Sequence, residues 1–120
     1  MDSRKLALLC RDLAENKKAE DVVVLDLRKL STVTDYFVIA TGTSEPHLRA
    51  ILDEITDNVE DSHGLRPRIE GRVQNAWVVL DYFDVIAHIM RAETRERYDL
   101  ESLWGDAPRV KPKVVKRVKK

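Results

Sequence analysis

Cysteine and long apolar runs are what this chain of 120 residues most clearly lacks. Its single cysteine, Cys10, cannot form an internal disulfide, which makes a reducing, cytoplasmic compartment the expectation. No apolar run approaches the roughly 20 residues that a membrane-spanning helix needs. The apolar stretch after Lys5 ends at Arg11, too soon for a secretory signal. The sequence therefore predicts a protein without a membrane partner or a disulfide framework.

Motifs for metal binding and enzyme chemistry are also scarce. The three histidines, His47, His63 and His88, stand apart from one another and from Cys10, so no zinc-ligand spacing is present. Gly42-Thr43-Ser44 joins a predicted strand to a predicted helix, where backbone N–H groups can hold an anion. Neither glycine-rich phosphate motif is present, and a helix cap is the simpler interpretation. No cofactor, metal site or catalytic residue is predicted.

A glycine-serine turn between a strand and a helix also occurs in metal-dependent nucleotidyltransferases. A divergent enzyme of that class is therefore the alternative function. Those enzymes follow the turn with paired carboxylates for two metal ions. Here Glu45, Pro46 and His47 follow it, and the adjacent Asp53 and Glu54 point to different sides of a helix. The sequence favours a protein that is not an enzyme.

The net charge is zero, but the charges are unevenly distributed. Residues 109–120 hold seven basic residues and no acidic one, which leaves 14 basic and 21 acidic residues in 1–108. The body is therefore −7 and the tail +7, an asymmetry that indicates a binding partner. An RNA is one candidate partner for the tail, and a solvated appendage is the alternative. The expected RNA contacts are Lys113, Lys116, Arg117 and Lys119.

Apolar residues recur at helical and strand spacing over residues 1–107, which indicates one domain there, followed by a basic, disordered tail over 108–120. The fold class is α/β (α+β mixed), with helices on a sheet of about five strands in the order α-β-β-α-β-β-β-α. Ser3 is the expected cap of the first helix, Gly64 the stop of the second, and Gly71 the site of a bulge. The predicted elements are helices at 3–16 and 44–62, strands at 22–27, 36–41 and 68–72, a hairpin over 76–90, and helical segments at 92–98 and 99–104.

The hairpin has two apolar faces. Period-2 alternation places Val78, Leu80, Val85, Ala87 and Ile89 on one face and Trp77, Val79, Ile86, His88 and Met90 on the other. The two long helices can cover only one face, so the other needs the C-terminal segment, another subunit or a partner. Five of the seven aromatic residues lie between residues 77 and 104. Trp and Tyr are frequent interface anchors, although packing on their own sheet explains Tyr98 and Trp104 equally well.

Asp81 and Asp84 flank the hairpin turn. If Tyr82-Phe83 formed a two-residue loop, the two carboxylates would face each other, which is unfavourable without a cation between them. Hydrogen bonds to their own backbone are one interpretation of these residues. A cation from a basic partner protein is another.

Four stretches of the chain together resemble the ribosomal silencing factor family, also called the Iojap-related proteins. They keep the family's order and spacing from about Leu6 to Ala107. The stretches are 35–44 with His47, Glu70-Gly71, 77–82 with Asp84-Val85 and His88-Ile89, and 97–104 with Asp106-Ala107. The resemblance implies a nucleotidyltransferase-like fold without the catalytic carboxylates.

The resemblance also implies a function. Family members bind the large ribosomal subunit through large-subunit ribosomal protein fourteen, block association with the small subunit and so repress translation, and are tied to late large-subunit assembly. An acidic body suits a basic ribosomal protein, and homodimerisation through the same surface is an open alternative. The expected contact residues are Trp77, Asp81, Tyr82, Asp84, Tyr98, Leu100 and Trp104.

Two features depart from the family pattern. Phe83 occupies a turn position where members commonly carry glycine. Because phenylalanine resists a positive φ, we expect a longer or rearranged turn. Residues 110–120 match nothing in the pattern.

Overall fold

A computed structural model of the chain describes residues 2–110. A short 3-10 turn, Val73–Asn75, precedes the fourth strand. The helices and strands are α1 Ser3–Asn16, β1 Glu20–Asp26, β2 Tyr36–Gly42, α2 Glu45–His63, β3 Arg68–Arg72, β4 Trp77–Asp81, β5 Val85–Arg91, α3 Ala92–Tyr98 and α4 Leu100–Leu103. These elements confirm the mixed α+β class, and the C-terminal helical region consists of two short helices.

The five strands form one mixed sheet in the order β1-β2-β5-β4-β3. β2 and β5 run parallel at its centre, and the other neighbouring strands pair antiparallel. A parallel pair needs a long crossover, and here the chain between β2 and β5 includes α2 and two further strands. Among the described residues, no helix combines the length and apolarity needed to cross a membrane.

α1 and α2 pack side by side on one face of the sheet and form the helix-side core. The hairpin residues predicted for one face, from Val78 to Ile89 at alternate positions, all lie in this core. Cys10 is fully buried there, and burial raises the pKa of its thiol to about 12. The thiol is therefore protonated at neutral pH and packs as a small apolar group.

The helix ends follow the predictions with one exception. Ser44 caps α2 by accepting a hydrogen bond from the His47 backbone, and Gly64 ends that helix at φ +67. α1 is capped by Asp2 rather than Ser3, because the Asp2 carboxylate accepts from the Arg4 backbone N–H at 2.8 Å. Ser3 lies inside the helix and donates its hydroxyl to Asp35 instead.

The domain extends past residue 107. The backbone N–H of Asp26 donates to the Pro108 carbonyl and that of Val110 donates to the Val24 carbonyl, both at 2.8 Å. Residues 108–110 therefore belong to the domain rather than to the predicted tail, because the unpaired edge of β1 offers them hydrogen-bonding groups. The predicted RNA contacts, Lys113, Lys116, Arg117 and Lys119, lie outside the described residues.

Gly71 does not mark a bulge, since β3 and β4 pair in continuous register from Arg68 to Arg72. Its φ is +82, and a Cβ atom at this position would overlap the carbonyl oxygen of Trp77. Glycine is therefore required by close backbone approach as well as by conformation.

Gly71→Ala should reduce the free energy of unfolding by more than about 2 kcal/mol, because a strained φ adds to a clash with backbone that cannot move aside. Gly64→Ala is the matched control, since φ there is also positive but no atom lies within 4 Å of the added Cβ. We expect it to cost only about 1 kcal/mol. Urea unfolding measures both changes. Equal losses would contradict this account of Gly71.

Candidate protein-binding face

The sheet has a second apolar face, opposite α1 and α2, which we call the outer face. Strand register places alternate residues of β2, β5 and β4 on it. They are Phe37, Ile39, Ile86, His88, Met90, Trp77 and Val79. This confirms the predicted alternation of the hairpin.

The C-terminal segment covers part of the outer face. Leu100, Trp104 and Ala107 pack against buried residues of β1, β2 and β5. Arg95 holds the segment in place, because its guanidinium donates to both carboxylate oxygens of Glu101, at 2.9 and 3.0 Å, and to the Thr41 hydroxyl at 2.8 Å. These hydrogen bonds hold the pKa of the Glu101 carboxyl below its usual range. The ion pair thus links α3, α4 and β2.

Five rings contact one another at the edge of the region that the C-terminal segment covers, and we call them the aromatic cluster. Phe37 packs edge-on against His88, with centroids 4.7 Å apart, and against Trp104 at 6.0 Å. Trp77 packs on Tyr98 at 4.8 Å and lies 6.0 Å from His88. Rings at these separations attract one another beyond the effect of burial alone.

The aromatic cluster is partly open to solvent. Tyr98 is 54% exposed, whereas Phe37, Trp77 and Trp104 are half-buried. Trp77 and Tyr98 also border a cleft of about 520 Å³ between the sheet and α3. The remaining lining residues are Glu70, Gly71, Asn75, Val79, Thr94 and Arg97. The open part of the outer face thus combines aromatic rings with a charged rim, as protein interfaces often do.

A partly buried hydrogen bond orients Trp77 within the cluster. Its indole Nε1–H donates to Nδ1 of His88 at 3.1 Å. Because indole nitrogen can only donate, Nδ1 is the acceptor and the imidazole proton sits on Nε2. Burial lowers the pKa of His88 to about 4, which keeps the ring neutral at pH 7. Nε2 is buried without a hydrogen-bond partner among residues 2–110.

Sequence reasoning placed Trp77 and His88 on one face but assigned no role to His88. The register of the hairpin would have predicted a contact between these two side chains. Val79 pairs with His88, and Trp77 lies two residues before Val79, so Trp77 and His88 occupy diagonal positions. Diagonal neighbours lie within reach of large side chains.

The structure brings four of the seven predicted contact residues together, whereas Asp81, Tyr82 and Asp84 lie apart from them at the turn between β4 and β5. Trp77, Tyr98 and Trp104 belong to the aromatic cluster, and Leu100 packs beside it. Tyr82 packs instead against the helix-side core, and burial raises the pKa of its hydroxyl. It therefore supports the hairpin turn from the face opposite the aromatic cluster.

The turn between β4 and β5 is tighter than predicted. The Asp84 N–H donates to the Tyr82 carbonyl at 3.0 Å, which closes a three-residue turn around Phe83. Phe83 itself adopts φ +78. Of the two expected alternatives, the longer turn is wrong and the rearranged turn is observed, because Tyr82 lies opposite Val85 and Phe83-Asp84 form the loop. The Asp81 carboxylate compensates by accepting the Phe83 N–H at 2.7 Å. Asp81 pairs across the hairpin with Ile86, so its carboxylate does not face that of Asp84.

The turn that opens α2 serves as a helix cap. His47 donates its N–H to the Ser44 hydroxyl at 3.1 Å, and the Thr43 N–H donates to Nδ1 of His47 at 2.9 Å. These internal bonds occupy groups that an anion would otherwise use. Within residues 2–110, no three His, Cys, Asp or Glu side chains are grouped to hold a metal ion. The outer face, suited to binding, is the best-formed candidate site.

Comparisons with known proteins identify the family. The chain matches the family described as ribosomal silencing factor during starvation over residues 1–120. A Bacillus subtilis protein named Ribosomal silencing factor RsfS is 35% identical over 108 residues, which cover 90% of this chain and 92% of that protein. A mouse protein named Mitochondrial assembly of ribosomal large subunit protein 1 is 35% identical, with 77% of this chain and 42% of that protein covered.

A solved structure agrees with this assignment. A crystal structure of a Chromobacterium violaceum protein is similar with a TM-score of 0.83 and 27% identity, covering 96% of this chain and 95% of that one. The fold and the outer face define a small α+β domain with one surface suited to binding. The chain belongs to the ribosomal silencing factor family.

The neutral state of His88 makes stability depend on pH. Unfolded His88 takes up a proton as pH falls through about 6.5, whereas the folded protein resists protonation until about 4. Stability is therefore fully present above pH 6.5 and declines below it, by about 2 kcal/mol between pH 7 and pH 5. His88→Asn keeps a hydrogen-bond acceptor near the position of Nδ1 but does not titrate. Its free energy of unfolding should therefore fall less between pH 7 and pH 5.

Chemical denaturation at pH 7 and pH 5 measures this difference. His63→Asn is the control, because His63 is exposed and lies outside the cluster, and it should behave like the wild type. Equal losses in His88→Asn and the wild type would show that His88 is not the group responsible.

Proposed function

We propose that this protein binds the large ribosomal subunit through large-subunit ribosomal protein fourteen, using the open part of the outer face. The bound protein then sterically blocks association with the small subunit and represses translation in the cytoplasm, with a further role in late large-subunit assembly. It acts by occupying a surface and catalyses no reaction.

The aromatic cluster is the observation that carries the proposal. Its rings expose area at the surface while the sheet, the Trp77–His88 hydrogen bond and the Arg95–Glu101 ion pair hold them in place. A surface that is ordered before binding loses little entropy when a partner arrives. Trp and Tyr are also the residues that contribute most to interface affinity.

Charge supports a basic partner. Residues 1–108 carry an excess of seven acidic residues. Asp84, at the end of the hairpin, is exposed and forms no ion pair among residues 2–110. Asp81 lies nearby at the end of β4. Complementary charge accelerates encounter with a basic ribosomal protein and helps to fix orientation.

Tyr98→Ala should weaken binding to isolated large subunits at least tenfold, because it removes the most exposed ring of the cluster. Its free energy of unfolding should change by less than about 1 kcal/mol, since that ring is mainly at the surface. Co-sedimentation with large subunits measures the affinity. Ile69→Ala is the matched control: Ile69 is 52% exposed and pairs with Leu80, whose side chain lies in the helix-side core. Equal affinity of both variants would argue against this face.

We further propose that the basic tail contacts ribosomal RNA through Lys113, Lys116, Arg117 and Lys119. Deletion of residues 111–120 leaves the β1 pairing of 108–110 intact. It should flatten the salt dependence of ribosome binding, by about 0.7–0.9 in logarithmic slope for each phosphate that the tail neutralises in the full chain. Titrations at several salt concentrations measure the slope. An unchanged slope would make the tail a solvated appendage.

A further inference from the structure

Phe83 is a residue that folding alone does not explain. Its side chain is 77% exposed, so it gains little from burial. Its φ of +78 lies in the left-handed region, which a bulky side chain adopts only at a cost in conformational energy. Phe83 is thus unfavourable for folding in two respects, at a position that glycine would occupy without strain.

The turn nevertheless holds this ring in a defined position. The Asp81 carboxylate accepts the Phe83 N–H, and the Tyr82 N–H donates to the Val85 carbonyl at 2.9 Å. On the other side, the Asp84 carbonyl accepts from the backbone N–H groups of Asp35 and Tyr36, at 2.8 and 3.1 Å. Hydrogen bonds within the hairpin and to the neighbouring connector therefore stabilise the strained backbone conformation of Phe83.

The turn and the connector bonded to it carry apolar and acidic groups besides Phe83. The β1–β2 connector, bonded to the turn through Asp35, presents Val33, which is 73% exposed. Asp84 follows Phe83 in the chain and is exposed, whereas Asp81, two residues before Phe83, lies opposite Arg68 of β3. An apolar side chain with carboxylates beside it fits an apolar pocket on a basic protein surface. RNA is disfavoured, because its phosphates would be repelled by these carboxylates.

We propose that the Phe83 turn is a second anchor, in which the phenyl ring inserts into an apolar pocket of the basic protein that the outer face binds. This inference rests on the proposed function. The turn connects β4 and β5, the strands that carry Trp77, Val79 and Ile86 on the outer face. One partner can therefore engage the face and the turn together. The conformational strain at Phe83 is retained because the ring contributes to binding.

The test separates binding from stability by using three substitutions at one position. Phe83→Gly removes the ring and relieves the backbone, Phe83→Ala removes the ring and keeps the strain, and Phe83→Tyr keeps a ring. We expect Phe83→Gly to melt at least about 4 °C above Phe83→Ala and no lower than the wild type. Both should bind large subunits at least fivefold more weakly than the wild type, and Phe83→Tyr should bind within twofold of it.

Thermal unfolding and co-sedimentation with isolated large subunits supply the two readouts. Wild-type affinity in Phe83→Gly would overturn the anchor while leaving the proposed function intact. A lower melting temperature of Phe83→Gly than of Phe83→Ala would overturn the strain argument and the inference with it. Failure of the wild-type protein itself to bind large subunits would instead reject the proposed function.

Discussion

Both faces of the central sheet are apolar, and the rest of the structure depends on how each is covered. Every interior strand places large hydrophobic side chains on both sides, so a single layer of helices leaves one side exposed to water. α1 and α2 cover the first side. Among residues 2–110, the second side receives two short helices and residues 105–107, and this shorter cover leaves part of the sheet open.

The segment that forms this incomplete cover is held rigidly against the sheet. The Arg95–Glu101 ion pair fixes α3 and α4 to the end of β2, and residues 108–110 close the edge of β1. At the limit of the cover, buried His88 orients Trp77 by accepting its indole N–H. The result is an ordered aromatic surface, which loses little entropy when the partner that we propose binds to it.

Much of this arrangement could be predicted from the sequence because it depends on local periodicity. The alternation from Trp77 to Met90 indicated both faces, and the spacing in 44–62 indicated α2. Features set by contacts between distant segments could not be predicted in the same way. The side of the sheet taken by Tyr82 and the pairing of 108–110 with β1 depend on the assembled fold. The expectation that Phe83 avoids a positive φ was wrong, because Asp81 stabilises a backbone conformation that phenylalanine disfavours.

We propose that this protein, when bound to the large subunit through the outer face, prevents the two ribosomal subunits from joining. Light scattering of purified subunits, mixed after the large subunit has been saturated with this protein, measures the rate of joining. We expect subunit joining to slow in proportion to the fraction of large subunits occupied. Joining at the normal rate while the protein remains bound would contradict it.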